Sequence, residues 1–231
     1  EKGKCADVDG LTLEHFHNAL FIFLQKLISL LNRMLQHSYV PNQFRFGYMI
    51  PLIKDPHGNH SDSSNYCSIT ISPITSKVFE HALKIVFSDH LSTSAYQYGY
   101  KRNSSTIHSL HCLRQTIDYY VNNKSHVCLF LDASKAFDRL IHSGLFMKLM
   151  NKKVPKVFLD VIMTWHNGLQ CRLKRDSEYS EWFGITAGVR QGGVLSPDLY
   201  CLYVTDLIVI LQSLRIGCQV KKHFCYGLVL C

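Results

Sequence analysis

Two short segments of this chain carry residue types that could do chemistry. The first is Leu131-Asp132-Ala133-Ser134-Lys135-Ala136-Phe137-Asp138, in which an apolar run delivers a carboxylate at its end and an aromatic ring follows. A strand-end acid suits a hard cation, because the backbone fixes the carboxylate while its oxygens face a cleft. Taken alone, an acid in such a place more often turns the chain or caps a helix. The second is Ala187-Gly188-Val189-Arg190-Gln191-Gly192-Gly193-Val194-Leu195-Ser196-Pro197, where three glycines and a polar pair lead into an apolar helix. Backbone without Cβ atoms lets a ligand approach closely, and a helix N-terminus beside Arg190 suits phosphate or sugar oxygens. The plainer reading is a loop before a helix.

The surrounding pattern predicts the elements that position these segments. Apolar residues recur at helical spacing from Leu11 to Gln36, with Leu20, Leu24, Leu27, Leu31, Met34 and Leu35 on or near one face and Pro41 marking the end. Tyr48 to Ile53 reads as a strand, and Lys54 to Tyr66, rich in Asp, His, Ser, Asn and Gly, as a mobile loop. Helical pattern resumes over Ser76 to Leu91 and Ser105 to Asn122, and Val127 to Asp132 is a short strand. Leu145 to Met150 and Pro155 to Gly168 are helical, Gln170 to Leu173 and Ser180 to Thr186 pair as strands, and Ser196 to Ser213 is a long buried helix. This irregular alternation favours an α+β architecture with a small, mainly antiparallel sheet over a parallel doubly wound one.

Composition narrows the partners. A chain of 231 residues, 47% hydrophobic and 18% charged, can bury a substantial core and is too apolar to be disordered. Its net charge of +8 suits a polyanion such as RNA or DNA, although a solvated basic surface would account for the charge as well. Nine cysteines, odd in number, irregularly spaced and without a Cys-x-x-Cys pair, fit neither a disulfide framework nor a zinc site, which points to a reducing intracellular compartment, nucleus or cytoplasm. The longest apolar candidate, Leu199 to Leu214, is broken by Thr205, Asp206 and Gln212, so no membrane partner is expected. The chain begins with Glu1 and shows no signal-peptide pattern, so it reads as an internal piece of something longer.

Together and in this order, the two segments resemble those of reverse transcriptases, specifically the enzymes of LINE-type, non-LTR retrotransposons. Further stretches resemble the family in order along nearly the whole chain: Asp7-Val8-Asp9-Gly10-Leu11 with Glu14-His15, Ile50-Pro51-Leu52-Ile53-Lys54, Asn65-Tyr66, Ser76-Lys77-Val78-Phe79-Glu80, Gln97-Tyr98-Gly99-Tyr100 and Ser104-Ser105-Thr106. The resemblance implies a right-hand polymerase fold, with fingers over Glu1 to Lys124, palm over Ser125 to Cys231, and no thumb. It implies RNA-templated DNA synthesis on a DNA primer with magnesium and deoxynucleoside triphosphates, and an endonuclease upstream in a parent protein. By the same resemblance Asp132 is the catalytic ligand to both magnesium ions and Ala133 contributes its backbone carbonyl. Phe137 crowds the sugar 2′ position, Gln191 and Gly192 line the templating pair and incoming nucleotide, and Lys54 approaches the triphosphate. These roles are physically coherent, since magnesium takes oxygen ligands and a phosphoryl transition state is stabilised by nearby positive charge. Without the resemblance, Phe137 would read as ordinary core packing.

The sequence also departs from the family. Where a palm hairpin reading Tyr-Ala-Asp-Asp is expected, after Gly217-Cys218, the chain reads Phe224-Cys225-Tyr226-Gly227-Leu228-Val229-Leu230-Cys231, with neither aspartate. The alternative placement puts that motif beyond Cys231. After Asn65-Tyr66 the family continues Arg-Pro-Ile; here it is Cys67-Ser68-Ile69, and a thiol cannot replace a guanidinium fork. Each of those two changes takes a single C-to-T substitution, a pattern of decay. The expectation is a reverse transcriptase domain inactive in this chain, with a non-catalytic RNA- or DNA-binding relic as the alternative.

Overall fold

The computed structural model describes residues 6–101, 104–122, 132–214, 218–220 and 223–225. They group into two compact units, one of residues 1–90 with 137–196 and one of residues 91–136 with 197–231.

The first unit is built on a small open sheet. Strand β1 (Phe46–Ile53) turns back through a hairpin into β2 (Tyr66–Ile71), which fixes that pair as antiparallel. β3 (Gln170–Arg175) joins the other edge of β1 in parallel, Tyr48 opposite Arg172, because the chain between them returns through helices. The short β4 (Glu178–Tyr179) and β5 (Phe183–Gly184) both pair antiparallel with β3. The sheet is therefore mixed rather than purely antiparallel, with one parallel pair, and the architecture is α+β.

The helical stretch expected from Leu11 to Gln36 is two helices, α1 (Leu13–His17) and α2 (Phe21–Gln36). Asn18, which competes poorly for helix, ends α1, and an edge contact of Phe16 with Phe23 joins the two pieces. A single turn, α3 (Asn42–Arg45), starts at Pro41 and buries Phe44. Then come α4 (Ile74–Val86), α6 (His142–Asn151) and α7 (Lys156–His166), flanking α5 (Thr106–Asn122) in chain order. On α4 the buried positions Ser76, Phe79, Glu80 and Leu83 form one helical stripe. Phe79 stacks on Trp165 of α7 at 5.7 Å and Phe44 lies against both rings, so α3, α4 and α7 share one aromatic core. Burying these rings is the main stabilisation available to a unit of this size.

The second unit holds α5 and most of α8 (Ser196–Ser213). Leu91 and Gln97 are buried there, and the Lys101 ammonium is gathered in by the carbonyls of Thr93 and Ser94. α8 buries Leu199, Tyr200, Cys201 and Leu202 in its first half, whereas in its second half Leu207, Val209 and Ile210 are exposed and Ile208 is buried. A two-stranded ribbon, β6 (Cys218–Val220) with β7 (His223–Cys225), follows. The strand expected over Val127 to Asp132 lies outside the described residues up to Leu131, as does Tyr226 to Cys231. No helix among the described residues is long and apolar enough to cross a membrane.

Candidate nucleotide-handling site

The glycine-rich segment is held from two sides within the first unit. On one side, Gly188 N–H donates to Leu140 O (2.7 Å), Val189 N–H to Phe137 O (2.9 Å), and the His142 ring donates from Nε2 to Gly188 O (2.7 Å). Gly188 has φ +88°, and a Cβ there would lie 2.8 Å from Asp138 O and 2.9 Å from Phe137 O, so backbone meets backbone. The end of the first motif and the start of the second are thus one packed structure. On the other side, Thr70 N–H at the edge of β2 donates to Gln191 O (2.7 Å), and Gly192, at φ +110°, sits where a Cβ would be 2.9 Å from Thr70 O.

The Gln191 side chain is fixed at both ends. Its Oε1 accepts from the Cys67 thiol (3.2 Å) and its Nε2 donates to Asp138 Oδ1 (3.1 Å). Two segments distant in sequence therefore close on the amide of a third. Asp138 is engaged as the acceptor for that amide. Lys54 lies at the end of β1, and its ammonium donates to Ser64 O (3.1 Å) across the hairpin. Phe137 is half-buried, while Asp132 and Ala133, in the second unit, are exposed and outside any strand or helix.

Arg190 is not the phosphate-facing group its position suggested. It is 9% exposed and donates from Nη1 to Phe44 O (3.0 Å); burial lowers its pKa, and the Glu80 carboxylate and Cys171 thiol oppose that shift. Glu80, also buried, accepts from Leu195 N–H at Oε2 (2.8 Å). Burial pushes its carboxyl pKa up, while the N–H groups of Leu195 and Val194 and the Arg190 and Lys77 charges pull it back. Beneath the segment, His166 makes an edge contact with His142 at 5.0 Å and donates from Nδ1 to Ile162 O (2.8 Å). Its pKa is lowered to about 4, chiefly by burial, opposed by that bond and reinforced by His142 and Arg190.

Sequence reasoning gave Glu80 no role. Its signal was an acid on the apolar stripe of an amphipathic helix, where a charge persists only if the fold supplies partners. Asp7 was similarly a motif without a function: its Oδ2 accepts from Ile74 N–H (2.6 Å) at the start of α4, and Oδ1 from Leu11 N–H (2.8 Å). It caps a helix and closes its own turn.

Among the described residues the donor set does not fit a pair of divalent ions. Two-ion chemistry holds its ions roughly 3.5–4 Å apart and needs several carboxylates. Among the described residues no group of three or more His, Cys, Asp or Glu side chains is placed to hold a metal, and Asp132 with the Ala133 carbonyl offers one carboxylate and one neutral oxygen.

Known proteins are similar to this chain over most of its length. The chain is 30% identical over 181 residues to the "Probable RNA-directed DNA polymerase from transposon X-element" of Drosophila melanogaster, covering 76% of this chain and 20% of that protein. It is 27% identical over 186 residues to the RNA-directed DNA polymerase from mobile element jockey of Drosophila funebris, covering 78% of this chain and 20% of the other. To the Pol polyprotein from the type-2 retrotransposable element R2DM of Drosophila melanogaster it is 39% identical over 90 residues, covering 39% of this chain and 8% of that protein. The chain spans about a fifth of the length of the X-element and jockey proteins. The family model described as reverse transcriptase (RNA-dependent DNA polymerase) matches residues 53–226, from the end of β1 past β7, and with these relatives it establishes that the chain belongs to the reverse transcriptase family, of the non-LTR retrotransposon type.

Proposed function

We propose that this chain is the nucleotide-positioning part of an RNA-directed DNA polymerase and that, with this sequence, it binds RNA and DNA without extending a primer. The observation that carries the reading is the convergence of Cys67, Asp138 and the 188–193 segment on the Gln191 amide. A side chain held at both ends presents a fixed edge to whatever lies beside it, which is what a group lining a nascent base pair must do. In this reading Gly192 lets the nucleotide approach, Phe137 crowds its sugar, Lys54 meets its triphosphate, and Asp132 is the metal ligand. The fingers comprise residues 1–124 and the palm residues 125–231. RNA template, DNA primer and deoxynucleoside triphosphates are the partners, within the cell, and an endonuclease belongs upstream in the parent protein.

Inactivity follows from charge. Magnesium would be held by Asp132 and the Ala133 carbonyl, and residues 226–231 contain no acid to complete the set. Losing even one preorganised charge-stabilising donor costs about 10²–10³ in rate. The family's fingers arginine is replaced by Cys67, whose thiol holds Gln191 instead of reaching a phosphate. A non-catalytic binding role needs none of these groups.

Primer extension on poly(rA)/oligo(dT) with magnesium, run beside filter binding of an RNA–DNA duplex, tests both halves. The expected result is no extension and binding on the order of micromolar that weakens as salt rises, because phosphate contacts release counterions. Extension is expected only after Gly227→Ala, Leu228→Asp and Val229→Asp rebuild the hairpin and Cys67→Arg restores the guanidinium. Robust extension by the unmodified chain would overturn the inactivity; binding indifferent to salt, or no binding, would overturn the nucleic-acid reading.

A further inference from the structure

The sheet of the first unit carries a cluster that the polymerase reading does not use. Because side chains alternate along a strand, Arg172 and Lys174 of β3 share one face, with Tyr48 of β1 opposite Arg172 and Tyr179 of β4 opposite Lys174. Arg175 points the other way, where its cross-strand partner is Glu178. The alternation thus leaves two cations among aromatics on one face and pairs the third with an acid on the other.

On the first face the Arg172 guanidinium lies 4.0 Å from the Tyr179 ring centre, 4.7 Å from Tyr48 and 4.8 Å from Trp182, and its Nη2 donates to the Tyr48 hydroxyl (2.8 Å). Phe46 braces Trp182 at 5.0 Å, and the Lys174 ammonium lies 5.6 Å from the Tyr179 ring centre. One cation therefore fixes three rings. Yet Tyr179 remains 44% and Trp182 40% exposed, so much of this ordered ring surface faces water. Pre-ordered, exposed rings beside a free ammonium, on a chain of charge +8, match the two things a single-stranded nucleic acid offers: flat bases to stack and phosphates to neutralise.

We infer that the face formed by Tyr48, Arg172, Lys174, Tyr179 and Trp182 is a stacking platform for the unpaired bases of a single-stranded nucleic acid. Bases lie on Tyr179 and Trp182, and Lys174 takes a phosphate. Asp176 and Glu181, exposed in the same hairpin region, limit the electrostatic part, so stacking supplies most of the affinity and the salt dependence is shallow. The inference deepens the nucleic-acid part of the proposed function and rests on it for the kind of partner, but it does not use the Gln191 site.

Tryptophan fluorescence tests it directly. The chain has two tryptophans, and Trp165 is 5% exposed against Phe79, so quenching by an added strand reports Trp182. Titration with short oligo(rA) and oligo(dA) should quench saturably, whereas an abasic strand of equal length should bind far more weakly by anisotropy and leave the emission unchanged. Tyr179→Ala should weaken oligo(rA) binding roughly tenfold, the scale of one lost base stack, and Lys174→Ala less. Tighter binding of either oligonucleotide supports the platform and assigns its strand as RNA or DNA. A silent Trp182, or an abasic strand bound as tightly as oligo(rA), would overturn it, and neither comparison needs a variant. Duplex binding with a silent Trp182 would refute the platform alone, and quenching without duplex binding the polymerase reading alone.

Discussion

The hairpin turn over residues 54–65 and the glycine-rich segment over residues 188–195 are both loops of polar and small residues, and they are held in opposite ways. The turn holds itself. Asn65 accepts from Asp55 N–H (3.0 Å) and donates to Asp55 O (3.0 Å) and Asn59 O (3.4 Å), Asp62 accepts from Ser64 N–H (2.8 Å), and Tyr66 donates to His60 O (2.8 Å). Every partner is within eleven residues of its mate, and nearly all of the turn is exposed. The loop expected to be mobile is thus a set of side-chain turns. Apart from one local bond, Gly193 N–H to Arg190 O (3.1 Å), the glycine-rich segment makes its bonds to Phe44, Cys67, Thr70, Glu80, Phe137, Asp138, Leu140 and His142, all distant in sequence. A loop held in that way is only as good as its tertiary supports.

The sharpest break of this contrast is Glu80→Ala. It leaves the Arg190 guanidinium buried without its counter-charge and orphans Leu195 N–H, so a loss of about 3–5 kcal/mol is expected in urea unfolding, with hydrogen exchange rising first over 188–195. If the turn over 54–65 lost protection equally, the two loops would be coupled and the contrast wrong. Gly188→Ala should follow at about 3 kcal/mol, because its positive φ and the backbone of Phe137 and Asp138 both refuse a Cβ. Gly184→Ala is the control: a Cβ there meets nothing within 4 Å, and a near-neutral urea midpoint is expected.

His166 ties the supports to pH. Its folded pKa, about 4, is below the unfolded value of 6.5, so the unfolded chain takes the proton first on acidification. Its contribution is complete above about pH 6.5 and is lost as pH falls through about 4, a weakening of about 2 kcal/mol between pH 7 and pH 5. Glu80, with its pKa raised, works in the opposite sense, favouring the fold below its unfolded value of 4.5 and losing that contribution as pH rises. The measurement is therefore a difference between the natural chain and His166→Phe, which should flatten the acid limb. An unchanged slope would show that His166 is not the group being titrated. Among the destabilising changes the smallest effect belongs to Asn65→Ala, about 1 kcal/mol, with lost exchange protection confined to 54–65. Spread of that loss to Thr70 and Gln191 would show that the turn also supports the site.

Much of the fold was legible because its signals are local. Helix α5 begins one residue after the expected start and ends at Asn122 as read, α8 matches Ser196 to Ser213, and β1 needs only Phe46 and Gly47 added. Periodicity and flanking turn residues act within a few positions, so a single sequence carries them. The pairing of Gln170 to Leu173 with Ser180 to Thr186 was legible as well, since β5 meets β3 there; what could not be read was which strands flank β1. β2 carries no strong alternation, and β3 joins β1 in parallel only because helices carry the chain back, so the mixed sheet is a tertiary outcome. The break at Asn18 was missed because the apolar spacing runs on across it.

The sequence by itself determined the family, the order of the motifs, the absence of acids over residues 226–231 and the thiol at position 67, since each is a matter of residue identity and order. Only the tertiary structure decided what those residues touch: Arg190 turned inward, Glu80 recruited as its counter-charge, and the Cys67 thiol and Asp138 closing on opposite ends of one glutamine. A buried polar group must find a partner, and sequence order does not say which part of the chain supplies it.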